Sequence, residues 1–141
     1  WASDVSEKGF SFRDGLALVP LDGAKIKKSG TDNKNFSDAG AAKESTVFEA
    51  PCQEKEITQE MRQLAFDNYE TTDDHGMHMT GIVKDQNDKK YYIIKNSWGT
   101  DNNDCDGYFY ASQAFVEYKT MDIMLHKDAL PKALRKKLGI K

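Results

Sequence analysis

Two stretches decide the fold, DDHGMHMTGI at residues 73–82 and YYIIKNSWGT at residues 91–100. The first places His75 at the head of an apolar run, and the second places Asn96 at the end of a strand-like apolar run. The connecting sequence KDQNDKK at residues 84–90 is polar and typical of a hairpin loop. We therefore expect two adjacent strands that hold His75 and Asn96 near the same end of a hairpin.

The pairing of these two residue types indicates acid–base chemistry. An imidazole whose far nitrogen is held by a fixed amide oxygen is poised to act as a general base. Trp98 would cover such a bond from water, which lowers the local dielectric and strengthens it. Most lone histidines are structural, so the partner Asn96 is what favours catalysis by His75. His78 has an odd offset from His75, and we expect it on the opposite strand face, in the core or at a lobe contact.

This pair closely resembles the histidine and asparagine of papain-like cysteine peptidases, which act with a cysteine thiolate. The motif NSWG at residues 96–99, followed by GYF at residues 107–109, is specific for that resemblance. WASDV at residues 1–5, HGM at residues 75–77 and ALP at residues 129–131 occur in the order found in the bleomycin hydrolase and aminopeptidase C branch. The resemblance covers most of the chain and weakens over residues 24–49 and at the very end.

The resemblance implies roles for five residues. His75 and Asn96 would be catalytic, Trp98 would support them, and Asp74 and Gly76 would line the substrate pocket. The complete enzyme would be an aminopeptidase that cleaves peptide bonds through a thioester acyl-enzyme. The resemblance also implies that the enzyme needs no cofactor and lies in the cytoplasm.

The resemblance also implies a fold and partners. The fold class is α+β, the β-barrel-like right lobe of a papain-like peptidase with short peripheral helices. A peptide substrate, the N-terminal lobe of the same enzyme and further copies in a hexamer are the expected partners, with no membrane. No cysteine in the sequence is followed by a tryptophan at the start of a helix, so we expect this chain to be the histidine-bearing C-terminal half of a two-lobed enzyme.

Length and composition suit one domain over residues 1–141, with 30% charged and 38% hydrophobic residues. Residues 24–45 are polar and are expected to form a surface insertion or loop, and residues 127–141 form a basic C-terminal arm. No apolar run has the length that a bilayer requires.

A net charge of −3 opposes broad nucleic-acid affinity, although the basic arm keeps a nucleic-acid binder open as an alternative. A non-catalytic interaction protein that kept the lobe is the other alternative.

Metal sites and reactive thiols are disfavoured. His75 and His78 would share a face only on a helix, which Gly76, Thr80 and Gly81 disfavour, so no metal site is expected. The two cysteines, Cys52 and Cys105, are expected to be free thiols. Acidic neighbours should raise the pKa of a thiol, so neither is a suitable nucleophile.

The remaining pattern predicts the other elements. Apolar residues recur at helical spacing over residues 56–68, namely Ile57, Met61, Leu64 and Ala65, with Thr58 as a candidate cap. We expect strands over residues 1–5, 77–83, 91–96, 107–111 and 120–126. Short helices are expected over residues 112–118 and 131–138, the latter with Pro131 in its first turn.

Overall fold

The structure is a computed structural model that describes residues 1–22, 24–25, 27–29, 42–44 and 47–140. The described residues form ten short strands, namely β1 Ala2–Ser3, β2 Phe10–Ser11, β3 Leu16–Ala17, β4 Lys27–Ser29, β5 Ala42–Glu44, β6 His75–Gly76, β7 His78–Lys84, β8 Lys90–Lys95, β9 Tyr108–Ser112 and β10 Thr120–Asp122. The helices are α1 Gln59–Asp67, α2 Gln113–Lys119 and α3 Lys132–Leu138, with a 3-10 turn at Lys127–Ala129.

The larger sheet has the strand order β2–β3–β9–β8–β7. Its neighbours pair antiparallel except for β3 and β9, which are parallel. A second sheet has the order β10–β1–β6, so the strand nearest the start of the chain lies between two later strands. The α+β class is therefore confirmed, and the described strands form open sheets and not a closed barrel.

The predicted hairpin is formed by β7 and β8. Met79 pairs with Ile94 and Ile82 with Tyr92, with a register shift between Met79 and Gly81. In the loop, the Asp85 carboxylate accepts hydrogen bonds from the backbone N–H groups of Asn87 and Lys89 at 2.8 and 2.9 Å. The Asp85 side chain therefore stabilises the turn, as the polar composition of the loop indicates.

The core lies where β2, β3, β8, β9 and α2 meet. Phe10, Ile94, Phe109 and Phe115 are fully or almost fully buried. Phe10 and Phe109 pack edge to face, with ring centroids 5.1 Å apart. Alternate positions of β9 face this core, as a half-buried strand requires, and the core fixes the sheet that ends at the candidate site.

Helix α1 forms as predicted, but Leu64, one of its apolar residues, is exposed. The Thr58 hydroxyl caps the helix by accepting from the Met61 N–H at 3.2 Å, and Ala65 is buried. Leu64 is 63% exposed, so the prediction that it packs inward is wrong. The Arg62 guanidinium instead ties α1 to the chain after α2, by donating to the carbonyls of Glu117 and Thr120.

Two other predictions need correction. The strand expected over residues 120–126 ends at Asp122, because the following residues are exposed and pair with no strand among those described. Within the segment expected to be a loop, residues 27–29 and 42–44 form an antiparallel pair, and most of residues 24–45 lie outside the described part.

The C-terminal arm ends in α3. Pro131 is the N-cap residue and not part of the first turn, and Gly139 ends the helix in the left-handed region with φ of 68°. Side chains of the arm are mostly exposed. No described helix has the length and apolar character needed to cross a bilayer.

Candidate active site

His75 is held by a strand pairing between distant parts of the chain. In β6 it lies opposite Ser3 of β1, and Gly76 lies opposite Ala2. The pairing continues beyond the strand, where the Met77 N–H donates to the Trp1 carbonyl at 2.9 Å. The backbone of His75 is therefore fixed by main-chain bonds to residues more than seventy positions earlier.

The side chains of His75 and Asn96 meet, although His75 lies in β6 and not in a strand of the predicted hairpin. Nε2 of His75 lies 2.7 Å from Oδ1 of Asn96. Asn96 as a whole is buried, with 5% of its surface exposed. The Ser97 backbone N–H donates to the same Oδ1 at 2.7 Å. Because an N–H donor must face the amide oxygen, the amide orientation is fixed and Nε2 must carry a hydrogen. Nδ1 is then the nitrogen of His75 that can exchange a proton with a reacting group.

Trp98 lies against this hydrogen-bonded pair. Its ring centroid is 4.9 Å from that of His75, with an interplanar angle of 31°. The rings of Phe10 and Phe12 lie nearly perpendicular to the Trp98 ring, at centroid distances of 6.0 and 5.3 Å. This aromatic cluster packs against the His75 ring, and the role of Trp98 in shielding the hydrogen bond from water stays a prediction.

The backbone of Asn96 is positioned by the turn that leads into β9. The Asn96 N–H donates to the Gly107 carbonyl at 3.0 Å. Asn103 is buried inside this turn, and its amide oxygen accepts from the N–H groups of Cys105 and Gly107 at 2.9 and 2.8 Å. Gly107 has φ of 77°, and a Cβ there would lie 2.9 Å from the Gly99 carbonyl oxygen, so only glycine fits.

The two residues expected at the substrate pocket have different surroundings. Gly76 is exposed, and a Cβ built on it meets no heavy atom within 4 Å. The half-buried Asp74 carboxylate accepts from the hydroxyls of Ser6 and Thr72 at 2.7 and 2.8 Å. Burial alone would raise the pKa of Asp74, but these hydrogen bonds and one with Asp4 hold it below its usual value. Asp74 is thus part of a polar network, and its role in the pocket stays a prediction.

His78 is exposed, so the prediction that it could be a core residue is wrong. It begins β7, which is at one end of the strand order of the larger sheet, and it pairs with Lys95. Met79 packs against the core, and His78 lies on the other, exposed face of β7.

Both cysteines are free thiols, as predicted, and neither has the environment of a nucleophile. Burial and the nearby Glu54 carboxylate raise the pKa of the Cys52 thiol. Burial and the flanking Asp104 and Asp106 raise the pKa of the Cys105 thiol. A raised pKa disfavours the thiolate, which is the reactive form. Among the described residues, no group of three or more His, Cys, Asp or Glu side chains is arranged to hold a metal ion.

Sequence reasoning missed the residues that support the site from a distance. Asn103 was hidden in a run of polar residues, although asparagine before a glycine-containing turn is a usable signal. Asp4 and Ser6 lie far from His75 in sequence, and no local pattern links them to it.

Comparison with known proteins identifies one family. The model of the Peptidase C1-like family matches residues 22–140, which include His75, Asn96 and Trp98. No curated protein matches the chain significantly. The family match covers most of the chain, and the observed pair of His75 and Asn96 lies within it. The chain belongs to the Peptidase C1-like family and is related to the papain-like peptidases.

Proposed function

We propose that this chain supplies the histidine and asparagine of a Cys-His-Asn centre in a cysteine peptidase. The observation that carries the proposal is the 2.7 Å contact between His75 Nε2 and Asn96 Oδ1 beneath Trp98. The family match supports it independently. The nucleophilic cysteine would come from another part of the enzyme, since the environments of Cys52 and Cys105 disfavour a thiolate.

The proposed chemistry assigns each step of proton transfer to His75. Its Nδ1 takes the thiol proton, and the resulting thiolate attacks the carbonyl carbon of the peptide bond. The imidazolium then gives that proton to the leaving amine, which departs and leaves a thioester. A water molecule, deprotonated by His75, hydrolyses the thioester and releases the carboxylate and the thiol. Throughout, Asn96 holds the ring through Nε2 and stabilises the imidazolium.

The isolated 141-residue chain should show no peptidase activity. The reason is that burial and nearby carboxylates raise the pKa of both thiols of the chain, which disfavours the thiolate that would attack the substrate. The measurement is fluorophore release from aminoacyl and blocked peptide substrates by the purified chain. The variants Cys52→Ser and Cys105→Ser are the matched controls. Turnover that either substitution abolishes would contradict the proposal, because the nucleophile would then lie within this chain.

We further propose that the complete enzyme is an aminopeptidase of the bleomycin hydrolase type, cytoplasmic and assembled as a hexamer. The support is the sequence resemblance, together with an exposed arm in which Gly139 ends α3. A terminal carboxylate at the end of this arm would attract the ammonium group of a substrate with a free N-terminus. Lys141 lies outside the described residues.

Deleting residues 139–141 from the complete enzyme should weaken its preference for a free N-terminus and admit blocked peptides. The deletion removes the proposed electrostatic partner of the substrate ammonium group. The measurement compares kcat/KM for the free and N-acetylated forms of one peptide, before and after the deletion. Replacing Lys137 by Ala is the control, because it changes the charge of the arm but keeps the arm's length. An unchanged ratio after deletion means that the arm does not set the specificity.

A further inference from the structure

Two carboxyl groups meet beside the strand that carries His75. Asp4 follows β1 directly and is 2% exposed, while Asp74 precedes His75 directly. Ser6 Oγ lies 2.9 Å from Asp4 Oδ1 and 2.7 Å from Asp74 Oδ2. The Ser6 N–H also points at both oxygens, at 3.0 and 3.2 Å. The two carboxyls therefore converge on one residue and on the same pair of donors.

The shared Ser6 hydroxyl cannot donate to both carboxylates at once. A hydroxyl has a single hydrogen, so Ser6 Oγ can donate to only one of the two oxygens at a time. Two carboxylates that share a site cannot both ionise easily, and one of them retains a proton. Burial, and then the hydrogen bond and charge of Asp74, raise the pKa of Asp4 from 3.8 to about 6. The pKa of Asp74 shifts in the opposite direction.

The pair also fixes the backbone that leads into His75. The Thr72 N–H donates to Asp4 Oδ2 at 3.1 Å, and the Thr72 hydroxyl donates to Asp74 Oδ1 at 2.8 Å. Residues 72–74 are thus attached to the residues that follow β1. One residue later, His75 pairs with Ser3. The carboxyl pair and the strand pairing therefore hold the same short segment from two directions.

The other charged groups around the pair do not offset a second negative charge on it. Glu7 is close enough to raise the pKa of Asp4 further by its charge. Lys119 is 3% exposed, but its ammonium group forms an ion pair with Glu7 and donates to the Glu70 carbonyl and the Thr71 hydroxyl. His75 lies next to Asp74 in sequence, and its Nε2 is bonded to Asn96.

We propose that Asp4 and Asp74 share one proton, and that this protonated pair positions His75. Asp4 is then a positioning residue that acts through residues 72–74, and it need not touch the substrate. The catalytic meaning of this position rests on the proposed function, but the proton sharing can be tested without any activity. Loss of the shared proton places two negative charges around Ser6 and loosens the attachment of the segment that carries His75.

The first test is a titration of the aspartate carboxyl carbons by NMR in the 141-residue chain. In the wild-type chain, Asp4 should titrate well above the usual range, and the Asp74 signal should show a step at the same pH. In Asp74→Asn, the Asp4 midpoint should fall by about one pH unit or more, since the neighbouring charge is gone. Asp73→Asn is the matched control, because Asp73 is the exposed neighbour, and it should leave the Asp4 midpoint in place. An Asp4 midpoint that is unchanged in Asp74→Asn overturns the shared proton.

The second test reads the position of His75 directly. In a chain labelled with ¹⁵N in the histidine rings, the Nε2 signal of His75 should shift at the Asp4 midpoint as well as at its own. Asp4→Asn should remove that extra step, because the amide donates to Asp74 at every pH. Asp4→Ala should weaken the His75–Asn96 hydrogen bond at every pH. If Asp4→Asn keeps this bond and Asp4→Ala does not, donation of a hydrogen to Asp74, and not packing alone, positions His75. A step that persists in Asp4→Asn, or is absent from the wild-type chain, overturns the positioning role. Neither measurement uses peptidase activity, so a failure of the proposed function would leave both results interpretable.

The sign of the pH effect on stability follows from the pKa of Asp4. A pKa raised in the folded state gives stability that is fully present below about pH 4 and is lost as the pH rises through about 6. Urea midpoints of the wild-type chain should therefore fall over that window relative to those of Asp4→Asn. Parallel curves for the two chains would contradict the sharing of a proton.

Discussion

Replacing His75 by alanine in the complete enzyme should reduce kcat/KM by roughly 10²- to 10⁴-fold or more, the range typical for loss of a general acid–base. The imidazole is proposed to take the thiol proton and to return it to the leaving amine, and alanine can do neither. The fold should survive, because β6 is held to β1 by backbone bonds that do not involve the side chain. The measurement is steady-state hydrolysis of a fluorogenic peptide, with the thermal midpoint as a check on folding.

His78→Ala is the matched control for this experiment. His78 is three residues away and exposed, and it is expected to have little influence on the reaction. If His75→Ala keeps more than a tenth of the activity while folding normally, His75 is not the general base. If His78→Ala is the more damaging variant, the two histidines have been assigned the wrong roles.

Replacing Asn96 by alanine should cost less, on the order of 10²-fold, which is the loss that a misplaced catalytic group can cause. The substitution removes the acceptor for His75 Nε2 and for the Ser97 N–H, but it leaves the base itself. Part of the effect should appear as lower stability, because a buried N–H without a partner costs about 1–3 kcal/mol. The measurements are kcat, KM and the urea midpoint of the same preparation.

Asn96→Asp separates the two consequences. A carboxylate oxygen can accept both hydrogen bonds, so this variant should retain more activity and more stability than Asn96→Ala. Should Asn96→Ala prove as damaging as His75→Ala while the fold survives, the division of roles between base and orienting residue is wrong. Equal activities for the Asp and Ala variants would mean that the acceptor at this position does not orient the ring.

The sequence predicts well what depends on neighbouring residues. The polar loop at residues 84–90 and the two apolar runs beside it specify the hairpin, because strand pairing across a short loop requires only local contacts. Thr58 caps α1 and Gly139 ends α3 for the same reason, since each cap bonds within one turn of its own helix. The hairpin accounts for the position of Asn96 directly after β8, whereas His75 lies in β6 and is held by the pairing of that strand with β1.

The errors have a common cause. Leu64 fits the apolar spacing of α1 but is exposed, because the partner surface determines which part of a helix is buried. His78 lies on the face of β7 opposite the packed Met79, and nothing among the described residues covers that face. Periodicity indicates which residues share a face, but only packing decides whether that face is covered.

The sequence by itself determined the family, the hairpin and the pair of His75 and Asn96. The tertiary structure alone decided how that pair is supported, by β1 beside β6, by Phe10 and Phe12 against Trp98, and by Asp4 beside Asp74. These contacts join residues far apart in the chain, and the entropy of closing such loops is recovered only when the whole core assembles. No local pattern records them, because their free energy belongs to the packed sheets and not to any single segment.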